Sequence, residues 1–322
     1  MTNTLDHKPE IIKTSSSKSL MDYRANSLWR LTLRRILKQK SALIGMTLLG
    51  LLVLVAIFAP VIAPYDPIQV LIGTEKIKQR EKPCIHLLGC PQDKPQHILG
   101  VDGNVRDEFS RVIFGSRVSL FIGFSTIGFA IIVGTLFGSI SGYAGGLTDN
   151  IMMRFMDVLM AFPSLLLAIT IVSFLGPGLQ NALFAIAIIN IPIYARVVRA
   201  SVLSVKECDY VAASRALGAS PIHILIQRIL PNSLPPLIVR GSLGIAESII
   251  SAAALSFLGL GAQPPTPEWG SMLGSERNQV FTSPHLVFFP GIAIMITVLS
   301  FNLLGDGLRD AIDPRLAQRG AE

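Results

Sequence analysis

Long apolar stretches, separated by short polar segments, dominate the chain from residue 41 onward. Six of them are about as long as a helix must be to cross a hydrocarbon core of ~30 Å. The predicted spans are Ser41–Ala63, Val118–Ser141, Val158–Leu175, Asn181–Val198, Leu237–Leu258 and Leu286–Leu304. The short alternating strands typical of a transmembrane barrel are absent from the sequence pattern. The pattern therefore predicts an all-α polytopic membrane protein with six transmembrane helices.

Composition supports the membrane class and excludes a nucleic-acid partner. Apolar residues make up 50% of the chain and charged residues only 15%, whereas a soluble domain carries about a quarter charged residues. The net charge of +7 would suggest nucleic acid in a soluble protein. Much of that charge, however, lies just before the first span, and stacking aromatic residues do not interleave with the basic ones. The membrane explains the charge better.

Both ends of the chain are predicted to be cytoplasmic. Residues 1–40 form a basic tail, and within it residues 24–40 place apolar side chains such as Trp29 opposite basic ones such as Arg30. This pattern predicts an interfacial helix on an anionic leaflet, with an ordinary basic flank as the alternative. A positive flank keeps the N-terminus in the cytoplasm. Six spans then return the tail 309–322 to the same side.

The segment 64–115 is predicted to be extracytoplasmic, and it contains two cysteines. Cys84 and Cys90 have five residues between them. In an oxidising compartment this spacing favours a disulfide that closes a small loop. A metal pair that includes His86 or His97, or two free thiols, are the alternatives, although a metal site needs more ligands at better spacing.

A polar hairpin at residues 206–232 interrupts the apolar pattern between the fourth and fifth spans. Asp209 is well placed to cap a short helix, and Gly218 to end it as a C′ glycine. Ser220 and the proline after it then begin a second helix, which Pro231 is expected to end. A rigid helix–glycine–helix hairpin that projects from a membrane is suited to docking another protein.

The hairpin resembles the EAA loop of importer permeases of the ATP-binding cassette class. That pattern reads E-A-A, three residues, Gly, nine residues and I-x-L-P. Ala213, Gly218, Leu230 and Pro231 match it in register, and the chain departs from it at Ala212, Ser214 and Arg228, which stand in place of its Glu, second Ala and Ile. The resemblance implies that the hairpin contacts an ATPase. The implied contact residues are Asp209, Tyr210, Ala212, Ala213, Arg215, Gly218, Ala219, Ser220 and Pro231. The alternative is an ordinary cytoplasmic loop with an amphipathic helix.

Other segments resemble the peptide-importing branch of these permeases. In chain order they are residues 97–120, 143–157, 191–196, 255–270 and 301–315. Val105 stands where the family has a glycine, so the local turn need not be the same as in the family. By resemblance, the chain is identified as a C-type permease subunit of the dipeptide/oligopeptide group, with the fold of type I importer permeases. Nickel and glutathione importers share this pattern.

The resemblance also implies the partners. They are a second, related permease, two cytoplasmic ATPases that bind ATP and magnesium, and an extracytoplasmic binding protein. The chain lacks the G-xxxx-G-K-[ST] motif, and its only lysine beyond Lys94 is Lys206. It also lacks any recognisable catalytic motif, so we expect a transport subunit without its own ATPase site and without a cofactor. The expected location is the bacterial inner membrane.

Two polar residues inside the predicted spans are candidates for the translocation path. Glu247 is expected to be the only charged residue deep in a span, and Asn190 lies beside Pro192 in the fourth span. Polar groups in the membrane are costly and face protein or water. For both residues a helix–helix hydrogen bond is the alternative. A secondary transporter would bring its own coupling-ion site and more intramembrane charge, and a membrane enzyme would need clustered catalytic groups.

Two further patterns concern packing. Gly134, Gly138 and Gly142 form a G-xxx-G-xxx-G ridge in the second span, and small residues at this spacing let helices approach closely in lipid. Arg154 and Asp157 are three residues apart on a predicted helix and could pair with each other.

The predicted topology can be tested through Cys208, which lies in the hairpin. An impermeant thiol reagent should leave Cys208 unlabelled in sealed cells and should label it once the membrane is permeabilised, because the hairpin is expected to face the cytoplasm. Labelling of Cys208 in sealed cells would overturn this topology.

Overall fold

The computed structural model describes residues 36–37 and 39–312. Most of the predicted interfacial helix and the end of the C-terminal tail lie outside the described residues. The helices are α1 Lys40–Ile57, α2 Ala59–Ile62, α3 Glu108–Ala144, α4 Gly146–Met160, α5 Ser164–Leu175, α6 Leu179–Val205, α7 Asp209–Ala216, α8 Pro221–Ile224, α9 Leu230–Phe257, α10 Trp269–Glu276 and α11 His285–Ile312. Short 3-10 segments lie at His86–Leu88 and Arg277–Gln279.

Five of these helices are long and apolar enough to cross a membrane: α1, α3, α6, the continuous helix formed by α8 and α9, and α11. Helices α4 and α5 make a sixth crossing if the bent pair counts as one span, although the chain turns by 87° between them. The all-α polytopic fold is therefore confirmed. The prediction of one helix over Val158–Leu175 is wrong, because Pro163 has an extended backbone, with a ψ of 124°, and is the N-cap of a separate helix, α5.

Helix α3 begins earlier than the predicted second span. It starts at Glu108, so the end of the segment 64–115 is already helical. Asp107 sets this start: its carboxylate accepts a hydrogen bond from the backbone N–H of Ser110 at 2.8 Å, which satisfies one of the free donors of the first turn. The hydropathy pattern missed this turn because it is polar.

The glycine ridge of α3 packs directly on the backbone of α6. A Cβ atom at Gly134 would lie 3.0 Å from the backbone nitrogen of Ala195, and one at Gly142 would lie 3.1 Å from the carbonyl oxygen of Arg199. At Gly138 a Cβ would collide with the carbonyl oxygen of Ala195. The close packing expected from this ridge is confirmed, and α9 and α11 then pack around the α3–α6 pair.

The segment predicted to be extracytoplasmic forms an ordered layer over one end of the helix bundle, called the outer layer below. Cys84 and Cys90 are joined by a disulfide, with their Cα atoms 5.4 Å apart. The Nε atom of Arg80 lies 2.8 Å from a carboxylate oxygen of Glu276, which ties the layer to α10. Val105 has a φ of 58°, a left-handed conformation that costs a residue with a Cβ about 1–2 kcal/mol. The turn that a glycine would favour is therefore formed by a buried valine.

His97 lies between two carboxylates in this layer. Its Nδ1 atom is 2.8 Å from an oxygen of Asp107, its Nε2 atom is 3.1 Å from an oxygen of Glu75, and Tyr65 stacks on the ring. Burial by itself lowers the pKa of His97, but the hydrogen bonds to Asp107 and Glu75 outweigh it and raise the pKa. Because both ring nitrogens face acceptors, the doubly protonated imidazolium fits this position.

We expect the outer layer to lose stability as the pH rises. A pKa that is higher in the folded state adds stability that is fully present below the unfolded value of about 6.5 and is lost as the pH passes the folded value. In membrane vesicles whose outer surface is accessible to the protease, the resistance of residues 64–107 should fall in the wild type as the pH is raised above about 6.5. The variant His97→Gln should be less resistant to protease than the wild type at low pH, and its resistance should not fall further as the pH rises.

The matched control for this prediction is His86→Gln. His86 is partly exposed, and its Nε2 atom lies 2.8 Å from the carbonyl oxygen of Lys94, not from a carboxylate. This variant should keep the pH dependence of the wild type. If His97→Gln has the same protease resistance as the wild type at every pH, the stabilising role of His97 is contradicted.

Candidate functional site

The first helix of the hairpin, α7, follows directly after α6. The prediction that Asp209 caps this helix is wrong: Cys208 is the N-cap residue and makes no side-chain cap. The helical hydrogen bonds begin one residue earlier than expected, with the N–H of Ala212 bonding the carbonyl of Cys208 at 3.2 Å. Asp209 is instead the first helical residue, where its negative charge is favourable for the helix dipole.

Gly218 ends α7 as predicted. It has a φ of 81°, a conformation that glycine adopts without steric cost. The N–H of Gly218 bonds the carbonyl of Arg215 at 3.0 Å, and the N–H of Ala219 bonds the carbonyl of Ser214 at 3.2 Å. These two bonds form a Schellman motif, so the end of α7 is closed by backbone contacts and fixes the direction of the chain.

The second helix begins as predicted but does not end at Pro231. Ser220 caps it by accepting a hydrogen bond from the N–H of His223, and a proline occupies its first position. A π turn at Leu225–Ile229 then carries the helix into α9 without a break. The N–H of Leu230 bonds the carbonyl of Leu225, five residues back, and this wider turn accommodates the proline that would interrupt an ordinary helix.

Most of the predicted ATPase-contact residues lie on the free surface of the hairpin. The exposed ones are Asp209, Tyr210, Ala212, Ala213, Arg215, Gly218, Ser220 and Pro231. Ala219 is partly buried. Val211 and Ile224 are almost fully buried beneath them, and Leu217 and Ile222 are 88% and 70% exposed at the tip. The hairpin is thus anchored from below and presents an apolar tip, which is the surface type that marks a contact site for another protein.

An ion pair holds the base of the hairpin. The guanidinium of Arg199 in α6 binds both carboxylate oxygens of Asp149 in α4 at 2.5 Å, and the hydroxyl of Ser141 in α3 donates to the same carboxylate. The ammonium of Lys206 donates to the carbonyl of Gly142 at 3.1 Å. Three helices are therefore joined where the chain leaves α6 for the hairpin.

The expected pair between Arg154 and Asp157 is wrong. Asp157 instead pairs with Arg196 of α6 at 2.5 Å. The helical spacing allowed the first pair, but the packing of α4 against α6 brings the other arginine closer. The Asp149–Arg199 pair was not predictable from the sequence, because a contact between residues 50 positions apart leaves no local pattern.

Asn190 is buried in α6, and its side-chain amide donates to the carbonyl of Ile186 in the same helix at 2.8 Å. Within the described residues this bond stays inside α6 and does not connect it to a second helix. Because Asn190 is buried, the structure does not support its predicted position on the translocation path.

Glu247 lies on the open side of α9 and does not stand alone. Arg240 and Glu247 form a two-pronged ion pair with N–O distances of 2.9 and 2.8 Å. Their side chains are 28% and 52% exposed. The expectation that Glu247 is the only charge deep in a span is wrong, since Arg240 lies inside the predicted span Leu237–Leu258. Two opposite charges seven residues apart share one helix face, and this spacing could have revealed the pair.

The chain matches two protein families. Residues 134–318 match the family described as "Binding-protein-dependent transport system inner membrane component". Residues 27–80 match the "N-terminal TM domain of oligopeptide transport permease C". The first match covers more than half of the chain and includes the whole hairpin.

Two relatives illustrate the similarity along the full length. The dipeptide transport system permease protein DppC of Alkalihalophilus pseudofirmus is 43% identical over 316 residues, which is 95% of this chain and 99% of the relative. The glutathione transport system permease protein GsiD of Pectobacterium atrosepticum is 42% identical over 297 residues, with 92% and 94% covered.

A solved structure shows the same fold at low sequence identity. A chain of the inward-facing MetNI methionine ABC transporter superposes with a TM-score of 0.52 and 20% identity, covering 64% of this chain and 98% of its own. Together with the family matches, these similarities show that the chain belongs to the family of binding-protein-dependent transport system inner membrane components, as a multi-pass permease subunit of an ATP-binding cassette importer.

Proposed function

We propose that this chain is the permease through which an ATP-binding cassette importer takes up small peptides delivered by an extracytoplasmic binding protein. The observation that carries the proposal is the hairpin: its exposed first helix is closed at Gly218, and its second helix is continuous with the membrane-crossing α9. The relatives named above are permeases for dipeptides and for glutathione, itself a tripeptide. Small peptides are the cargo class that both names share.

The hairpin is suited to passing a force from a soluble motor into the membrane. Ala212 and Ala213 keep one side of α7 small, so the groove of an ATPase could approach its backbone closely. Movement of α8 would then move α9, because no loop separates these two helices. A partner-driven element with two positions is what alternating access requires.

The other components follow from this proposal. The ATPases would hold ATP and magnesium, because the sequence lacks the lysine motif of a phosphate-binding loop. A second permease would complete the translocation path. The disulfide-closed outer layer would face the side from which a binding protein delivers the peptide.

Co-purification and uptake test the proposed function. The tagged chain, purified in mild detergent from its native cells, should carry ATPase chains and a second permease with it. Deletion of its gene should reduce uptake of labelled dialanine at least tenfold, and uptake of free alanine should stay unchanged as a control. The proposal would be contradicted if the tagged chain purifies without ATPases and the deletion strain still takes up dialanine normally.

Substitutions in the hairpin test its coupling role. In Gly218→Val the new side chain meets open space, so the cost comes from the left-handed backbone alone, about 1–2 kcal/mol. This strain should turn α7 away from its contact, and Ala213→Glu should block the contact directly. Both variants should insert normally, lose at least tenfold in peptide uptake, and release or uncouple the ATPases.

Gly259→Val is the matched control, because Gly259 has the same φ of 81° and the same open surroundings beyond the other end of α9. It should keep the ATPases bound. Normal transport by Gly218→Val and Ala213→Glu with ATPases attached would show that the hairpin is an ordinary loop.

A further inference from the structure

The Arg240–Glu247 pair lies within the predicted crossing Leu237–Leu258. With a rise of about 1.5 Å per residue, Arg240 is about 5 Å inside one end of this span, whereas Glu247 is about 15 Å from either end. The carboxylate of Glu247 is therefore near the centre of the crossing, and its ion pair extends toward the hairpin side. Charged groups at such depth face a water-filled space or other protein groups, and they mark transport pathways more often than lipid-facing surfaces.

The pair leaves much of its bonding capacity free. The guanidinium of Arg240 has five N–H donors and gives two of them to Glu247, and the carboxylate of Glu247 has about four acceptor positions and uses two. The exposed fractions of 28% and 52% show that the remaining groups are not covered within the described part of the chain. A ligand with both an anionic and a cationic group could bind here, and the charges of Arg240 and Glu247 would both still have an opposite charge beside them.

This ion pair differs from the two near the hairpin because it fixes no helix to another. Arg199–Asp149 joins α6 to α4, and so does Arg196–Asp157. Arg240 and Glu247 are both on α9, so their pair can open without breaking a contact between helices. An ion pair that stabilises no tertiary contact is available for exchange with a ligand.

The face of α9 that carries the pair is partly open and borders α6 at Gly244. Ser251, one turn beyond Glu247, lies on the same face and donates to the carbonyl of Glu247 at 2.9 Å. The other faces of α9 pack against α3, α6 and α11. Lipid is a poor neighbour for this face because of its charges. A close apolar subunit contact is also unfavourable, because it would have to desolvate a half-exposed carboxylate.

A buried hydroxyl lies directly behind the pair. Tyr194 of α6 is 0% exposed, and its hydroxyl has no hydrogen-bond partner within the described residues. This hydroxyl touches the backbone of α9 at Gly244, between Arg240 and Glu247, where a Cβ would collide with it. An unpaired buried polar group is costly.

We propose that Arg240 and Glu247 line the translocation path and bind the two charged ends of a dipolar peptide, Arg240 the carboxylate and Glu247 the ammonium. The inference rests on the proposed function of peptide import. An extended dipeptide spans roughly 7 Å, and seven residues of helix separate the two Cα atoms by about 10.5 Å along the axis. The parted side chains can therefore bracket a cargo of this length.

Binding of this kind exchanges one ion pair for two. The cargo carboxylate accepts hydrogen bonds from Arg240 while its ammonium donates to Glu247, and the pair on α9 forms again when the cargo leaves. No charge is left without a partner at either stage. The balance between the two states keeps the cargo weakly held, as conduction requires.

Cysteine accessibility tests the position of this face. In a Cys208→Ser background, Ser251→Cys should react with a charged, water-soluble thiol reagent in the assembled importer. The depth-matched control is Phe121→Cys on α3, because the neighbouring Gly123 packs on Ile249 of α9. Phe121 is 59% exposed among apolar neighbours, and Phe121→Cys should stay unlabelled. Millimolar dialanine should slow labelling of Ser251→Cys at least fivefold, whereas N-acetyl-dialanine amide should not. Equal labelling at the two positions, or equal protection by both peptides, would overturn the proposal.

Swapping the charges at positions 240 and 247 tests whether Arg240 and Glu247 bind cargo or only neutralise each other. Arg240→Gln and Glu247→Gln should each reduce dialanine uptake at least tenfold in complexes that retain their ATPases. The exchanged variant Arg240→Glu/Glu247→Arg should assemble normally and remain equally inactive, because the charges would meet the delivered peptide in the wrong order. Restored uptake in this variant would show that the pair serves only its own neutralisation.

The two proposals can fail separately. Absence of dialanine import by the wild-type complex would contradict peptide import and, with it, the role of the pair. Import by the wild type, combined with an unprotected Ser251→Cys or an active exchanged variant, would contradict the role of the pair alone.

Discussion

The close approach of α3 and α6 is the contact on which the rest of the structure depends. Between lipid-exposed helices there is no hydrophobic gain from burial, so association relies on van der Waals contact and hydrogen bonds. Each such contact is weak and short-ranged, and three glycines let the two backbones meet over several turns. Helix α6 then fixes where the hairpin leaves the membrane, and α9 packs against the pair that results.

Charge has two different uses in this chain. Near the hairpin, Asp149 and Asp157 each pair with an arginine of α6, and these contacts hold separate helices together. On α9 the opposite charges belong to one helix and contribute nothing to holding the bundle together. The same chemical group therefore stabilises the fold in one place and remains exchangeable in another, and the difference lies only in which helices carry the partners.

Features of the fold that depend on local sequence were predictable, and features that depend on packing were not. Hydropathy located the crossings, and Gly218 identified the end of α7, because each signal is contained in a few neighbouring residues. The prediction that Pro231 ends the second hairpin helix was wrong because it also used only local sequence. A proline normally ends a helix, but the π turn before Pro231 depends on how α9 is packed. Arg240 was missed because the span around it is apolar enough to conceal a single charge, and the partner of Asp157 is 39 residues away.

The unbroken helix Pro221–Phe257 makes the second helix of the hairpin and the crossing one mechanical body. Its 37 residues form a lever about 55 Å long, so a tilt of about 5° displaces one end relative to the other by roughly 5 Å, close to one helical turn. The π turn at Leu225–Ile229 lies near the hairpin end of this helix. If the helix pivots there, the part that crosses the membrane is the longer arm of the lever. A small stroke at the cytoplasmic end is then magnified along the longer arm, and a few ångströms of motor movement suffice to reposition the middle of the bilayer.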